Sequence, residues 1–474
     1  LKSLFTILFI LFLSASGSTQ SFSDFSKKDV YSDIEFLFSH LQEIHPNSSE
    51  VDSSKVEIIK SGLKSEYYSE SDAFFIFNGF LKLLNDGHSN VKFSSERTKE
   101  IIQYGEFFPY QLQFFDSTAV VTGTIGLRYE EVQRREIFKI NNIPIKSILE
   151  DLAIVSMVDG EHNTSSSEWL SDDFWFYFTL YNGFRSSYSI TYLENGREFH
   201  EIAKALNRNE FLKTSFLEDF NSGPFDLSCM NGITVLSVSN FNQKSPLWWK
   251  IKLKSIFKEL DKQDISELVL DLRDNGGGQE NLQNILLESF GVSTSDKYEL
   301  EVIKKIDFRT VSGIQNERKE KLKSMGLENF VFREDYGDDF KGRKGAHYKS
   351  AKQRYSGELF ILIDGTTFSC ASDAAAILKE NYPRTKLIGT ETRGSGKVNY
   401  AGYFVHVELP KTGFVIRVPR VKYILNNKLC SEYSGIIPDI HVAMDKSDVQ
   451  KDVDSQLTFL FNYLKEKESA LEEN

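Results

Sequence analysis

Three cysteines in 474 residues, Cys229, Cys370 and Cys430, are too few to staple a chain of this size, so stability has to come from a buried core. One pair of them can still form a disulfide, and the sequence does not say which. Positive charge is also in short supply. The 56 Lys and Arg against 68 Asp and Glu leave a net charge of -12, which argues against a nucleic-acid partner, since phosphate binding needs a basic surface. Beyond the first residues no apolar run approaches the ~18 residues that a membrane span requires. No group of His, Cys and carboxylates has metal-ligand spacing, so neither a metal nor a cofactor is expected. What is plentiful is aromatic surface. The 39 Phe and 20 Tyr, with a 40% hydrophobic fraction, exclude a disordered chain and predict two or three folded domains.

At the N-terminus Lys2 precedes an apolar run from Leu4 to Leu13 and the small-residue stretch Ser14 to Ser18. That order of regions predicts a secretory signal peptide over residues 1–17, cleaved near Gly17, and an exported chain, periplasmic or extracellular. No cysteine follows it, so no lipid anchor is expected there.

Helical spacing of Ile34, Leu37, Leu41 and Ile44, and a second apolar helix from Phe74 to Leu84, predict an N-terminal helical region over 24–95. Asn85-Asp86-Gly87 then breaks the helix, and His88 sits on the turn. Residues 105–207 read as a β-rich module of short alternating strands with few long helices. From 215 to 445 strands and helices alternate, the pattern of an α/β domain, with a polar, Lys-rich insertion over 293–355 read as lying near the mouth of a site. A closing helix from Val449 to Lys465 and a charged end fill 446–474.

Two segments of the α/β domain can carry chemistry. In Leu359 to Lys379 an apolar strand, a tight turn and Ser369 lead straight into an alanine-rich helix, which puts the Ser369 hydroxyl where unpaired amides and the helix dipole can stabilise an oxyanion. Ser369 or Ser372 can equally be a plain helix cap. In Glu267 to Gly278 a buried strand ends in three glycines before a helix, a turn that lets backbone N–H groups approach a ligand closely. That segment lacks the lysine and spacing of a phosphate-binding loop.

Together, DLRDNGGG after one strand and DGTTFSCASDAA after another closely resemble the tail-specific, or C-terminal processing, serine peptidases. Asn85-Asp86-Gly87-His88-Ser89, the stretch Gly126 to Leu152, which looks like the middle of a PDZ-type domain, and Leu387 to Thr392 extend the resemblance over nearly the whole chain. The Phe-Ser-Cys form of the nucleophile segment is most similar to the tricorn and chlamydial protease-like branch. The resemblance implies a ClpP/crotonase-like catalytic core with an N-terminal helical region and a PDZ-like module. It implies an endopeptidase acting on unfolded or C-terminal polypeptide segments through an acyl-enzyme. It also implies roles: Ser369 the nucleophile, His88 the general base, Glu432 the acid that orients the imidazole, and an oxyanion hole from the amides of Cys370 and of Gly276 or Gly277.

Two other registers stay open. If Asp373 takes the family's acidic position, Cys370 becomes the aligned nucleophile, and a thiol is chemically competent. A Ser372 and Lys397 dyad, as in the other branch, is the third choice, because Arg393-Gly394-Ser395-Gly396-Lys397 lacks that branch's Phe-Gly-Lys-Gly form. The alternative function is a non-catalytic ligand- or peptide-binding protein on the same scaffold. Oligomeric state is not legible.

Overall fold

The computed structural model describes residues 24–125, 132–161, 166–194, 197–207, 223–230, 232–294, 297–303, 314–316, 340–341, 355–382 and 384–472. The expected signal peptide lies outside them. Among the described residues no helix is long and apolar enough to cross a membrane.

The N-terminal part is helical because its apolar residues recur on one helix face. Helix α1 (Lys27–Ile44) buries Val30, Ile34, Leu37, Leu41 and Ile44, and Ser26 caps it by accepting from the Asp29 amide. Helix α2 (Ser53–Gly62) and helix α3 (Glu70–Leu81) follow, the latter opened by a capping box between Ser69 and Asp72. A single 3₁₀ turn over Lys82–Leu84 then ends at Asn85 in the left-handed conformation (φ 52°). The chain reverses there, presents His88, and enters strand β1 (Asn90–Lys92).

After helix α4 (Ser95–Tyr104) comes a sheet of strands β2 (Tyr110–Phe115), β3 (Thr118–Thr124), β4 (Glu136–Ile140), β5 (Ser187–Glu194) and β6 (Arg197–Lys204), in that spatial order. The Asn141-Asn142 turn has φ of 49° and 63°, the left-handed pair that a two-residue hairpin needs, and helix α5 (Ile145–Leu152) follows. The one long helix described in this module is α6 (Ser166–Asn182), 17 residues long. Leu170, Phe174 and Phe178 form a row at i, i+4, i+8 that is wholly buried. Seven of the helix's 17 residues are aromatic, five of them consecutive from Phe174 to Phe178, and that composition hides the row behind a strand-like reading.

The α/β domain holds a six-stranded sheet in the order β7 (Phe225–Met230), β8 (Ile233–Val238), β9 (Glu267–Asp271), β13 (Glu358–Ile363), β14 (Thr385–Gly389), β17 (Ile440–His441). Only the β7 to β8 pair is antiparallel; the others are parallel, as crossovers through helices α7 (Pro246–Lys262), α8 (Glu280–Ser289) and α9 (Cys370–Asn381) require. Alternation along β9 sends Leu268 and Leu270 into the core under α7 to α9 and Val269 into the opposite core, which Leu460 and Leu464 close. Those two leucines lie on α11 (Ser455–Glu472), separated by a short loop from α10 (Lys446–Gln450), so the single closing helix expected is two.

A second sheet pairs the long strands β15 (Val398–Glu408) and β16 (Val415–Leu425). Strands β10 (Tyr298–Ile303), β11 (Ile314–Asn316) and β12 (Phe340–Lys341), all within the 293–355 insertion, join it, so part of that insertion is sheet. Strand β1 also pairs with β16, which fixes the His88 turn to the α/β domain. All three cysteines are free.

Candidate active site

The carboxyl ends of parallel strands are where an α/β sheet presents its loops to a ligand. Here the loops after β9 and β13 meet. Asp364 shapes the second, its Oδ1 accepting from the amides of Thr366 and Thr367 and from the Thr366 hydroxyl at 2.7–3.0 Å. Asn275 ties it to the first: its carbonyl accepts from the Phe368 amide at 3.0 Å, its Oδ1 from Gly277 at 2.9 Å, and its Nδ2 donates to Val238 at 2.7 Å. Gly277, at φ 94°, passes so close to the serine turn that a Cβ there would stand 2.7 Å from Ser369 Cβ.

Ser369 begins α9 at φ 52°, ψ -126°, a conformation that costs a side-chain-bearing residue on the order of 1–3 kcal/mol. Its hydroxyl makes no capping bond to the helix. Instead it lies 3.0 Å from His88 Nε2. The cap reading therefore fails for Ser369. Ser372, the other cap candidate, lies inside the helix with its hydroxyl donating to the Ser369 carbonyl at 3.1 Å. The first turn of α9 leaves the Cys370 amide unbonded among the described residues, and the same holds for the Gly276 amide. The Gly277 amide, by contrast, is engaged by Asn275.

His88 is 8% exposed, and the Phe368 ring covers one face with centroids 4.4 Å apart. Its far nitrogen, Nδ1, is buried without a hydrogen bond, 3.7 Å from Asp86 Oδ1 and 3.8 Å from Asp159 Oδ1. Burial alone would lower the imidazole pKa; the two carboxylates, Asp159 first, outweigh it and hold it above the ordinary value. Asp86 is fully committed. Its Oδ2 accepts from His45 Nε2 at 3.0 Å and from the Ser89 amide and hydroxyl at 3.1 and 2.6 Å, and its Oδ1 accepts from the His88 amide at 2.7 Å. Burial works against that charge, but the bonds from His45 and His88 hold the carboxyl well below the usual range. Asp159 is different. Its Oδ1 accepts from the Gly87 amide at 2.9 Å, while its Oδ2 is buried without any partner.

The structure does not bring Glu432 to His88. Its side chain is 47% exposed, with Oε2 3.9 Å from the Lys422 ammonium, because the Ser431 to Tyr433 loop packs on Gly160 through its backbone. Nor does it support the two other registers. The Cys370 thiol lies 3.2 Å from the Gly278 carbonyl, and burial, then the nearby Asp373 charge, push it up to about 12, away from a thiolate. The Lys397 ammonium donates to the Leu425 and Asn427 carbonyls at 3.0 and 3.1 Å.

Sequence reasoning missed Asp159 and gave Asp86 no role. Asp86 stands inside the quoted Asn85 to Ser89 motif, but Asp159 is a lone acid before a glycine, some 70 positions from the histidine it faces. Only the fold joins them, through the Gly160 amide bonded to the Asn85 carbonyl at 3.0 Å. Asp86, His88 and Asp159 are also the one group among the described residues whose side-chain atoms lie close enough to hold a metal ion. The four donors on Asp86 leave little for a cation to recruit.

Residues 232–442 match the model of peptidase family S41. Among solved structures, mature CPAF complexed with lactacystin is 15% identical, with 93% of this chain and 98% of that one covered and a TM-score of 0.62. A CPAF point mutant is 16% identical, with coverage of 90% and 94% and a TM-score of 0.63. At such identity the likeness speaks for the fold. No curated protein sequence matches the chain. The matched stretch contains both the glycine turn and Ser369, so the chain carries a family S41 peptidase domain and is a serine-type peptidase.

Proposed function

We propose that the chain is an exported endopeptidase in which Ser369 is the nucleophile, His88 the general base and Asp159 the acid that orients the imidazole. Its substrates are unfolded or C-terminal polypeptide segments. The observation that carries this reading is the 3.0 Å approach of His88 Nε2 to a serine hydroxyl that caps nothing. Ser369 Oγ attacks the peptide carbonyl carbon as His88 Nε2 takes its proton. The amides of Gly276 and Cys370, unbonded among the described residues, receive the oxyanion. The charged imidazole then gives its proton to the departing amine as the C–N bond breaks, leaving an acyl-enzyme ester. His88 deprotonates a water that hydrolyses the ester and frees the serine.

Asp159 is favoured over Asp86 because Asp86 already accepts four hydrogen bonds, whereas Asp159 accepts one from Gly87 and its Oδ2 is buried without a partner. The module over 105–207, read as PDZ-like, supplies a sheet edge at β6 to which an extended peptide can add as a strand.

The test is a fluorophosphonate probe on the full chain, followed by intact mass. One adduct on the wild type, lost in Ser369→Ala and kept in Cys370→Ser, is expected. No adduct on the folded wild type, or an adduct that survives Ser369→Ala, would overturn the assignment.

A further inference from the structure

In the segment Arg393 to Lys397 the arginine holds a more consequential place than the lysine. The Arg393 guanidinium lies between two rings, 4.3 Å from the centroid of Trp169 and 4.3 Å from that of Phe368. Phe368 in turn lies against His88 and is bonded in sequence to Ser369. The polar hydrogens of Arg393 go to carbonyls: Nε donates to Met157 at 2.7 Å and an Nη to Gly87 at 3.3 Å. Its backbone completes the set, the amide donating to Thr367 at 3.1 Å and the carbonyl accepting from Asp159 at 3.3 Å. One residue thus touches the turn that bears His88, the strand end that bears Asp159, the loop that bears Ser369, and helix α6.

We propose that Arg393 is a positioning residue for the reaction. It holds His88 and Asp159 in register with Ser369, and through Trp169 it makes that register depend on where α6 of the β-rich module sits. A planar guanidinium suits this place: it can stack on both faces while its edge donates to two carbonyls, which a lysine ammonium cannot do. Glu168 fixes the same end of α6 to the active-site loops, accepting from the Gly365 amide and, at 2.9 Å, from the Thr390 hydroxyl. A change in α6 therefore reaches the imidazole through three stacked side chains.

The inference rests on Ser369 and His88 acting as proposed above, and the experiment separates the two. The full chain is labelled with a fluorophosphonate at increasing concentration, giving a limiting rate constant and a half-saturating concentration for the folded fraction, as judged by circular dichroism. Arg393→Met keeps the stem and removes the stacking plane. Its limiting rate constant is expected to fall by about 10²-fold, the cost of a displacement near 1 Å, with half-saturation little changed. Trp169→Leu is expected to lower it by roughly tenfold and Trp169→Phe to restore it to within about threefold, because the ring is what supports the guanidinium. If Arg393→Met does not fold, the Trp169 pair decides. A reduced labelled fraction with an unchanged rate constant per folded molecule would show a merely structural role and overturn the inference alone. A wild type that takes no label would overturn the Ser369 reading and this inference with it.

Discussion

Two buried histidines face the single carboxylate of Asp86, and they are built differently. His45 is fully enclosed and satisfied at both nitrogens. Its Nδ1 accepts from the Asn47 amide at 3.0 Å, which places its proton on Nε2, and that proton goes to Asp86 at 3.0 Å. His88 is nearly as buried, but its Nδ1 stands 3.7 and 3.8 Å from two carboxylates with no bond made, while Nε2 meets a serine hydroxyl. The first arrangement is closed and has nothing left to exchange. The second has carboxylates beside Nδ1, where a proton can stay, and a hydroxyl at Nε2, where one can be gained and lost, as a general base requires. Satisfied polar groups hold a fold; an orphaned pair beside a serine hydroxyl points to the place where the proposed chemistry would run.

The comparison breaks outright if the serine is not the reacting group. Ser369→Ala is expected to lower hydrolysis of a denatured protein substrate by roughly 10⁴-fold or more, measured by release of new amino termini. Next in size is the acid. Asp159→Asn should cut kcat/KM by roughly 10²- to 10⁴-fold, and Glu432→Gln by no more than about threefold; the reverse order would restore Glu432. The pH profile sharpens this further. His88 acts when neutral, and its carboxylates hold it protonated above its ordinary pKa, so activity rises with pH through a limb above about 6.5. Asp159→Asn removes part of that hold and moves the limb to lower pH.

At the closed end the expected damage is to stability. His45→Ala leaves the Asp86 charge buried and short of one donor, and should reduce the unfolding free energy by about 1.5–3 kcal/mol in denaturant titration. Its turnover per folded molecule should suffer far less than that of Asp159→Asn. The smallest effect concerns a third buried acid, Asp373, bonded on one oxygen by Asn399 at 2.9 Å and unpartnered on the other. Burial, offset by Lys297 and Asn399, raises its pKa to about 7. A carboxyl raised on folding binds more protons folded than unfolded, so stability falls as pH rises from the ordinary carboxylate range through 7. Melting curves across that window should lose part of this slope in Asp373→Asn.

Much of this was legible before any coordinates. The α1 periodicity, the strand and glycine turn ending at Gly278, and the strand, serine and helix of Leu359 to Lys379 are local patterns, and local patterns survive folding. The approach of His88 to Ser369, 281 positions away, was reached only through a family resemblance. No periodicity encodes it. The same holds for the acid: Glu432 has the right chemistry and a loop position near the site, but its side chain turns to Lys422 rather than to His88. Asp159 earns its place from a backbone bond between Gly160 and Asn85, a fact of tertiary structure with no trace in its neighbours. Helix α6 was missed because composition outweighed spacing, and with it went Trp169 and the stack beside Arg393.

At position 369 the amino acid that suits the backbone and the one that suits the chemistry are not the same. With φ at 52° and ψ at -126°, the site favours glycine, and serine is held there by the surrounding turns. Selection for a sturdier molecule therefore pulls against selection for a reactive one at a single codon. On the proposed mechanism, Ser369→Gly would give a sturdier chain that no longer cuts, so the two demands part at one side chain.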